Sequence, residues 1–169
     1  MQLENYLHTI PDFPKKGIQF KDICPLLADP KALKYAVAHL AEPLKSLKPD
    51  VIAGVEARGF LLGILLAQHL GVAFLPIRKA GKLPGEVLSQ SYGLEYGEDV
   101  LELQKGSLKA GNRVVVHDDV LATGGTAAAA GRLVSSCEAE LLCYSFLMEL
   151  DFLEGREKLH KPIYTVLHF

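Results

Sequence analysis

One segment of the sequence combines acidic, hydroxyl and glycine residues in an order that suits ligand chemistry. Residues 114–126 read VVVHDDVLATGGT, so an apolar run leads into Asp118 and Asp119, and a Thr-Gly-Gly-Thr stretch follows. The glycines let backbone amides approach an anion closely, and the threonines add hydroxyl donors. A helix predicted from residue 125 would present unpaired N–H groups and a partial positive charge. We expect this end of the segment to bind a phosphate.

The acidic pair has a different role from the Thr-Gly half. Carboxylates repel phosphate but suit hydroxyl donors, as on a ribose, or a cation. The segment therefore predicts a site for a sugar with a phosphate at one end. The alternative is a helix N-cap with glycines for turn geometry, which does not explain Asp-Asp at the end of a buried strand. Neither GxxxxGK[ST] nor GxGxxG occurs, so the sequence does not support a P-loop or a Rossmann NAD site.

Strand and helix signals alternate along the chain, which indicates an α/β fold with a parallel sheet and helices on both faces. Such sheets bind ligands at the carboxyl ends of their strands. The predicted strands are residues 51–55, 72–77, 113–117, 141–150 and 163–167, with a possible edge strand at 100–104. The predicted helices are a first one that starts at Asp29-Pro30 and two more over residues 60–70 and 125–137. Residues 78–97 are predicted to form a long loop, and a loop of this length in a compact domain is usually functional or disordered.

Composition limits the class of protein. The 169 residues are enough for one domain, and a net charge of −2 gives no basic face for nucleic acid. Cys24, Cys137 and Cys143 form no CxxC and no zinc spacing, which favours buried thiols in a reducing compartment. The N-terminus lacks a signal-peptide pattern, and the longest apolar run, residues 60–67, is too short for a membrane span. We therefore expect a cytoplasmic protein without membrane or nucleic-acid partners.

The segment at residues 114–126 resembles the phosphoribosyl pyrophosphate (PRPP) motif of the type I phosphoribosyltransferases. Three further segments resemble the adenine phosphoribosyltransferase family within that class: DFPKKGIQFKDICPLLADP at residues 12–30, GVEARGF at 54–60, and RKAGKLPG with LEYG inside 78–97. The resemblance extends from about residue 12 to 167. His117 stands where the family usually has an aliphatic residue. It could perturb the neighbouring carboxylates or make only an incidental hydrogen bond.

The resemblance implies a type I phosphoribosyltransferase fold over residues 1–169, with a central, mostly parallel sheet flanked by helices. It implies an N-terminal arm and hood at about residues 1–30 and a flexible catalytic loop at about 78–97. The implied reaction converts adenine and PRPP to AMP and pyrophosphate, with Mg²⁺ bound mainly by substrate and water oxygens. A homodimer is implied as well, in which the partner helps to close the site through Arg78. Two alternatives are an enzyme for another purine base and a PRPP-binding regulator without catalysis.

The resemblance also implies roles for residues that bind the sugar donor. Asp118 and Asp119 would face the ribose hydroxyls. The 5′-phosphate would lie within a loop formed by Ala122, Thr123, Gly124, Gly125 and Thr126. Pyrophosphate would be bound by Arg58 and by the turn Glu56–Ala57, where the family has an unusual cis peptide. The remaining cations near the leaving group would be Arg78, Lys79 and Lys82, although a solvated charge cluster explains each of them as well.

For the base, the resemblance implies a stacking platform, a backbone edge and a mobile loop. Phe20 would stack on adenine, with Leu153 on the other side. The backbone around Gln19 and Lys21 would read the edge of the base. Glu95 would carry the proton that adenine exchanges, and Tyr96 would move with the loop as a lid that excludes water. A solvated carboxylate is the alternative for Glu95.

Overall fold

The structure is a computed structural model that describes residues 1–94 and 97–169. Within them the strands are β1 (His8–Pro11), β2 (Gln19–Asp22), β3 (Val51–Val55), β4 (Ala73–Lys79), β5 (Val87–Leu94), β6 (Gly97–Gln104), β7 (Arg113–Leu121), β8 (Glu140–Glu149) and β9 (Ile163–His168). The α-helices are α1 (Cys24–Ala28), α2 (Pro30–Lys45), α3 (Arg58–Leu70) and α4 (Gly125–Ser136). Short 3₁₀ helices cover Leu3–Tyr6, Asp151–Leu153 and Gly155–Lys158.

A mixed sheet of seven strands lies at the centre, in the order β5-β6-β4-β3-β7-β8-β9 among the described residues. The five strands from β4 to β9 in that order run parallel, and β6 pairs antiparallel with both β4 and β5. The carboxyl ends of β3 and β7, which are neighbours, therefore meet at one edge of the sheet. Ligands bind at this edge in parallel α/β sheets.

Helices cover both faces of the parallel strands. On one face α2 and α3 pack against side chains such as Ile52, Val115 and Cys143. On the other face α4 packs against Ala53 and Phe146, among others. The alternation of strand side chains between two faces explains why the central strands are apolar along their whole length. The predicted fold class, a mostly parallel sheet flanked by helices, is confirmed.

Local capping signals fix the helix ends as the sequence predicts. The side chain of Asp29 accepts hydrogen bonds from the backbone N–H groups of Lys31 and Ala32, at 2.8 and 3.0 Å, and so begins α2. Gly71 ends α3 in the left-handed conformation, with φ of +70°. No helix within the described residues is long and apolar enough to cross a membrane.

Residues 8–22, within the predicted N-terminal arm and hood, contain a β-hairpin. Two expectations about local structure are wrong. Most of residues 78–97 belongs to strands, because β4 continues to Lys79 and β5 pairs along β6. The strand predicted at the edge, residues 100–104, lies inside the sheet between β5 and β4. An alternating pattern shows that one face of a strand is buried, but it does not show how many neighbours the strand has.

Candidate active site

The turn between β3 and α3 places Arg58 at the beginning of a helix and beside β7. The Glu56–Ala57 peptide bond in this turn is cis, as the resemblance implied. Gly59 lets the helix approach closely, because a Cβ there would stand 2.8 Å from Asp118 Oδ1 and 3.0 Å from the His117 carbonyl oxygen. A residue with a side chain at position 59 would therefore push α3 away from the acidic pair.

Arg58 joins the acidic pair to the N-terminal hairpin. Its Nη2 atom lies 2.8 Å from Asp119 Oδ2, and its Nη1 atom donates a hydrogen bond of 3.2 Å to the carbonyl oxygen of Lys21. The guanidinium carbon also lies 4.8 Å from the centre of the Phe20 ring. Arg58 therefore contacts both the predicted ribose-binding residues and the predicted base-binding residues, and it can align one with the other.

Asp118 and Asp119 lie inside β7, which continues to Leu121, rather than after the strand as predicted. The Asp119 N–H donates a hydrogen bond of 2.8 Å to Asp118 Oδ1. Burial raises the pKa of both carboxyls. The Asp119 charge raises the pKa of Asp118 further, whereas the Arg58 guanidinium acts in the opposite direction on each. Two adjacent carboxyls, with Asp119 buried and Asp118 partly buried, favour a ligand that offers hydroxyl donors or positive charge.

The predicted phosphate loop runs from the end of β7 to the first turn of α4. Gly124 has a φ of +76°, which a residue with a side chain adopts only with strain. The loop packs against the backbone of Gly155: a Cβ at Gly124 would overlap the Gly155 carbonyl oxygen, and one at Gly155 would overlap that of Ala122. Gly155 thus supports the loop from behind, a contact that no local sequence pattern predicts.

An ion pair holds the segment that contains Gly155. The guanidinium of Arg156 contacts both oxygens of Glu149, at the end of β8, with N–O distances of 2.6 to 3.1 Å. Glu149 is almost fully buried, with 3% of its surface exposed. A bidentate contact of this kind fixes the direction as well as the distance between its partners. The backing of the phosphate loop is therefore anchored to the central sheet.

The predicted pyrophosphate cations form ion pairs with two carboxylates. Glu56 contacts Arg78 at 3.3 Å and Lys82 at 2.6 Å, and it accepts a hydrogen bond from the Lys79 N–H at 2.9 Å. Burial alone would raise the pKa of Glu56, but these contacts outweigh it and lower the pKa to about 2. The ammonium of Lys79 pairs with Asp99 at 2.8 Å. The side chain of Glu56 therefore orders cations, and only its backbone could meet an anion.

The predicted base-binding residues lie on the N-terminal hairpin. Gln19, Phe20 and Lys21 belong to β2, and Phe20 packs edge-on against Phe13 with ring centres 5.1 Å apart. Lys21 donates a hydrogen bond to Thr9 on β1. Leu153 ends the 3₁₀ turn after β8 and is 37% exposed. The stacking of adenine between Phe20 and Leu153 stays a prediction.

A cavity of about 350 Å³ brings most of the predicted sugar and pyrophosphate residues together. Its lining includes Glu56, Ala57, Arg58, Lys79, Asp118, Asp119 and Thr126. A smaller cavity of about 140 Å³ continues along the phosphate loop, where it is lined by Ala122, Thr123 and Gly124. Glu95 and Tyr96 lie outside the described residues.

Two polar residues of the larger cavity, Tyr92 on β5 and Asp99 on β6, were not predicted from the sequence. The Tyr92 hydroxyl donates a hydrogen bond of 3.1 Å to Asp99, which also holds Lys79. Both residues reach the site only because the β5–β6 hairpin folds beside β4. No local sequence signal distinguishes Asp99 from the other acidic residues nearby.

His117 does not line the cavity. It is completely buried, and a Cβ at Gly63 of α3 would stand 3.3 Å from its ring. Burial lowers the pKa of His117 to about 4, so the ring is neutral near pH 7. A neutral ring packed under α3 gives no charge to the neighbouring carboxylates.

Comparisons with known proteins assign the chain to a class of protein. The family model of the phosphoribosyl transferase domain matches residues 27–168, and with the fold it defines the class of protein as a type I phosphoribosyltransferase. Adenine phosphoribosyltransferase 1 of Saccharomyces cerevisiae is 50% identical over 171 residues, with 99% of this chain and 91% of the relative covered. The adenine phosphoribosyltransferase of Synechococcus sp. is 52% identical, with 98% of this chain and 95% of the relative covered.

Solved structures extend the same agreement to the fold. The adenine phosphoribosyltransferase of Thermoanaerobacter pseudethanolicus has a TM-score of 0.97 at 51% identity, covering 99% of this chain and 98% of that one. The S. cerevisiae enzyme, complexed with adenine and an imino-altritol bisphosphate, has a TM-score of 0.92 at 49% identity, covering 97% and 96%. The chain belongs to the adenine phosphoribosyltransferase family.

Proposed function

We propose which residues of this site bind each part of the substrates, and which transfer the proton, in the reaction of its family. As a member of that family the chain is a pentosyltransferase of purine salvage: it converts adenine and PRPP to AMP and pyrophosphate. A ring nitrogen of adenine attacks the anomeric carbon as the bond from that carbon to pyrophosphate breaks. The transition state resembles an oxocarbenium ion. The site must bind the sugar, neutralise the leaving group and accept a proton from the base.

The position of Asp118 and Asp119 between Arg58 and the amino end of α4 is the main support for this proposal. Ribose hydroxyls would donate to the two carboxylates. The 5′-phosphate would accept hydrogen bonds from the loop of Ala122, Thr123, Gly124, Gly125 and Thr126, where the helix dipole also favours an anion. One sugar phosphate would thus satisfy two groups of opposite polarity.

The leaving pyrophosphate would lie at the carboxyl end of β3. Arg58 and the Glu56–Ala57 turn would contact it directly, while Arg78, Lys79 and Lys82 would supply further positive charge. Their ion pairs with Glu56 and Asp99 hold the three side chains at the cavity wall, so that they are ordered before a substrate arrives. Charge that is already positioned stabilises a developing anion most effectively.

Mg²⁺ fits this site as a companion of the substrate. Burial raises the pKa of Asp118 and of Asp119, and a nearby cation would stabilise both carboxyls in the charged form. Among the described residues, one side-chain cluster has metal-ligand spacing: Glu149, Asp151 and His168. It lies outside the cavity, and its Glu149 already forms an ion pair with Arg156. A magnesium ion bound through diphosphate, ribose and water oxygens would neutralise the leaving group.

Adenine would stack on Phe20 and meet Leu153 on its other face, and the backbone at Gln19 and Lys21 would read its edge. The hydrogen bond from Arg58 to the Lys21 carbonyl oxygen supports this placement, because it ties the hairpin to the sugar site. Glu95 would take the proton that adenine loses, and Tyr96 would close with its loop over the bound substrates.

The whole molecule would act as a single domain in a cytoplasmic homodimer. Leu61 and Ile64, neighbours on the outer side of α3, are 46% and 51% exposed. Apolar side chains of this size are commonly covered in an interface. A partner docked near them would lie next to the helix that begins with Arg58.

An initial-rate assay with a panel of purine bases and PRPP, with and without Mg²⁺, tests the assignment. Adenine should react fastest, and removal of Mg²⁺ should nearly abolish turnover. A higher kcat/KM for guanine, hypoxanthine or xanthine would show a site built for another base. PRPP binding without turnover of any base would identify a regulator.

Glu95→Gln tests the proton-transfer role. We expect kcat to fall about 10²-fold, with the KM for both substrates changed less than about threefold, because a general base acts in the transition state. Glu86→Gln is the control, since Glu86 is an exposed residue near β5 that pairs with Lys105. Equal rates for the two variants would leave Glu95 as a lid residue.

A further inference from the structure

A second cavity, of about 360 Å³, lies beside α4 and shares no lining residue with the two cavities of the active site. We call it the basic cavity. The residues that define it are Gly131, Arg132, Tyr144, Lys158, His160 and Lys161. Volumes of this order suit a small ligand.

The charges around the basic cavity are not balanced. Over residues 1–94 and 97–169 no carboxylate lines the cavity, and Arg132, Lys158 and Lys161 form no ion pair. By contrast, the cations around the active site, such as Arg58 and Lys79, each have a carboxylate partner. Three unpaired cations around one concavity, in a chain whose net charge is −2, create a local positive potential that favours an anion.

The inner wall of the basic cavity adds a neutral donor. Tyr144 on β8 is 4% exposed, and it reaches under α4 because Gly131 has no side chain: a Cβ there would overlap the Tyr144 hydroxyl. Burial raises the pKa of the Tyr144 phenol, and nearby Arg132 lowers it only in part, so the hydroxyl keeps its proton. A guanidinium, two ammonium groups and a phenol together offer donors to a ligand with several acceptor oxygens.

We propose that the basic cavity binds the phosphoryl group of a small phosphorylated ligand, at a site separate from the active site. Phosphate oxygens match this donor set, because Arg binds them in a fork and Lys binds them as a point charge. A bound ligand would link α4 to residues 158–161. That segment follows Gly155, which backs the phosphate loop, so the site can influence the loop.

The test is an NMR titration of backbone amides with inorganic phosphate at constant ionic strength. Residues around the basic cavity and residues of the phosphate loop give separate curves, so the two sites are distinguished in one experiment. We expect saturable shifts at positions 131–135 and 158–161. Arg132→Gln with Lys161→Gln should weaken that curve at least about tenfold and leave the phosphate-loop curve within about twofold.

The matched control is Lys31→Gln with Lys109→Gln, which removes the same charge from exposed positions outside every cavity described above. It should leave both curves unchanged. Thermal unfolding midpoints and turnover at saturating substrate concentrations check that both double variants are folded and active. Shifts that do not saturate, or the same weakening in test and control variants, would overturn the proposal and show only diffuse attraction by surface charge.

Discussion

Arg58 is the residue at which the parts of the site meet, since it contacts Asp119, Phe20 and the Lys21 backbone. Through these contacts a single arginine would influence both the proposed sugar site and the proposed base site. The acidic pair that it faces is costly to bury, because each carboxyl is desolvated and the two repel each other. Groups held at such a cost commonly serve function rather than stability.

Asp118→Asn combined with Asp119→Asn should lower kcat/KM for PRPP by at least about 10³-fold while the protein stays folded. The physical reason is that two amides cannot give the negative charge that ribose hydroxyls and a developing cation require. Steady-state kinetics and a thermal unfolding curve measure the two effects. Glu157→Gln, an exposed control, should keep normal turnover. Near-normal turnover in the folded double variant would contradict the assignment.

The stability of Asp118→Asn should depend on pH in a definite direction. The folded-state pKa of Asp118 is raised, so its carboxylate destabilises the fold above the ordinary pKa, and protonation relieves this cost as pH falls. The variant should therefore be more stable than the parent at pH 7 to 8, and the difference should shrink toward pH 4. Urea unfolding at several pH values measures this, and a pH-independent difference would contradict it.

The predicted phosphate loop between β7 and α4 depends on the contact between the backbones of two glycines, Gly124 and Gly155. Gly124→Ala should lower the free energy of unfolding by at least about 2 kcal/mol and raise the KM for PRPP. The added Cβ would clash with Gly155, and a residue with a side chain is strained at this positive φ. Gly106→Ala is the matched control, since its φ of +79° is similar and nothing lies within 4 Å of a Cβ there. It should cost about 1–2 kcal/mol and leave KM unchanged. Equal effects on KM would refute the role of the contact.

The proposed homodimer would form at the exposed aliphatic residues of α3, Leu61 and Ile64. Light scattering should give a mass of about 37 kDa, twice the 18.4 kDa chain. Leu61→Asp with Ile64→Asp should shift the mass to the monomer, because two buried charges without partners oppose association. Ile18→Asp changes a similarly exposed residue on the hairpin and should stay dimeric. A parent protein that is already monomeric would contradict the dimer.

The residues that the sequence alone identified are those whose chemistry is local. The predicted phosphate loop has its glycines, its hydroxyls and its helix start within a few positions, and Asp118 and Asp119 are adjacent, so one segment contains both halves of the proposed sugar site. Helix ends at Asp29 and Gly71 were predictable for the same reason, because capping depends on a few neighbouring residues.

Which distant groups share the cavity depends on how the strands and loops pack together. Tyr92 and Asp99 enter it because the β5–β6 hairpin pairs beside β4, and Gly155 supports the phosphate loop through a contact between segments about thirty residues apart. The basic cavity likewise joins α4 to residues 158–161. Strand pairing and backbone contacts of this kind leave almost no trace in composition or periodicity, since many side chains are compatible with each of them. The local sequence therefore predicts the candidate sugar-phosphate motif, whereas the pairing of distant strands brings the surrounding groups to it.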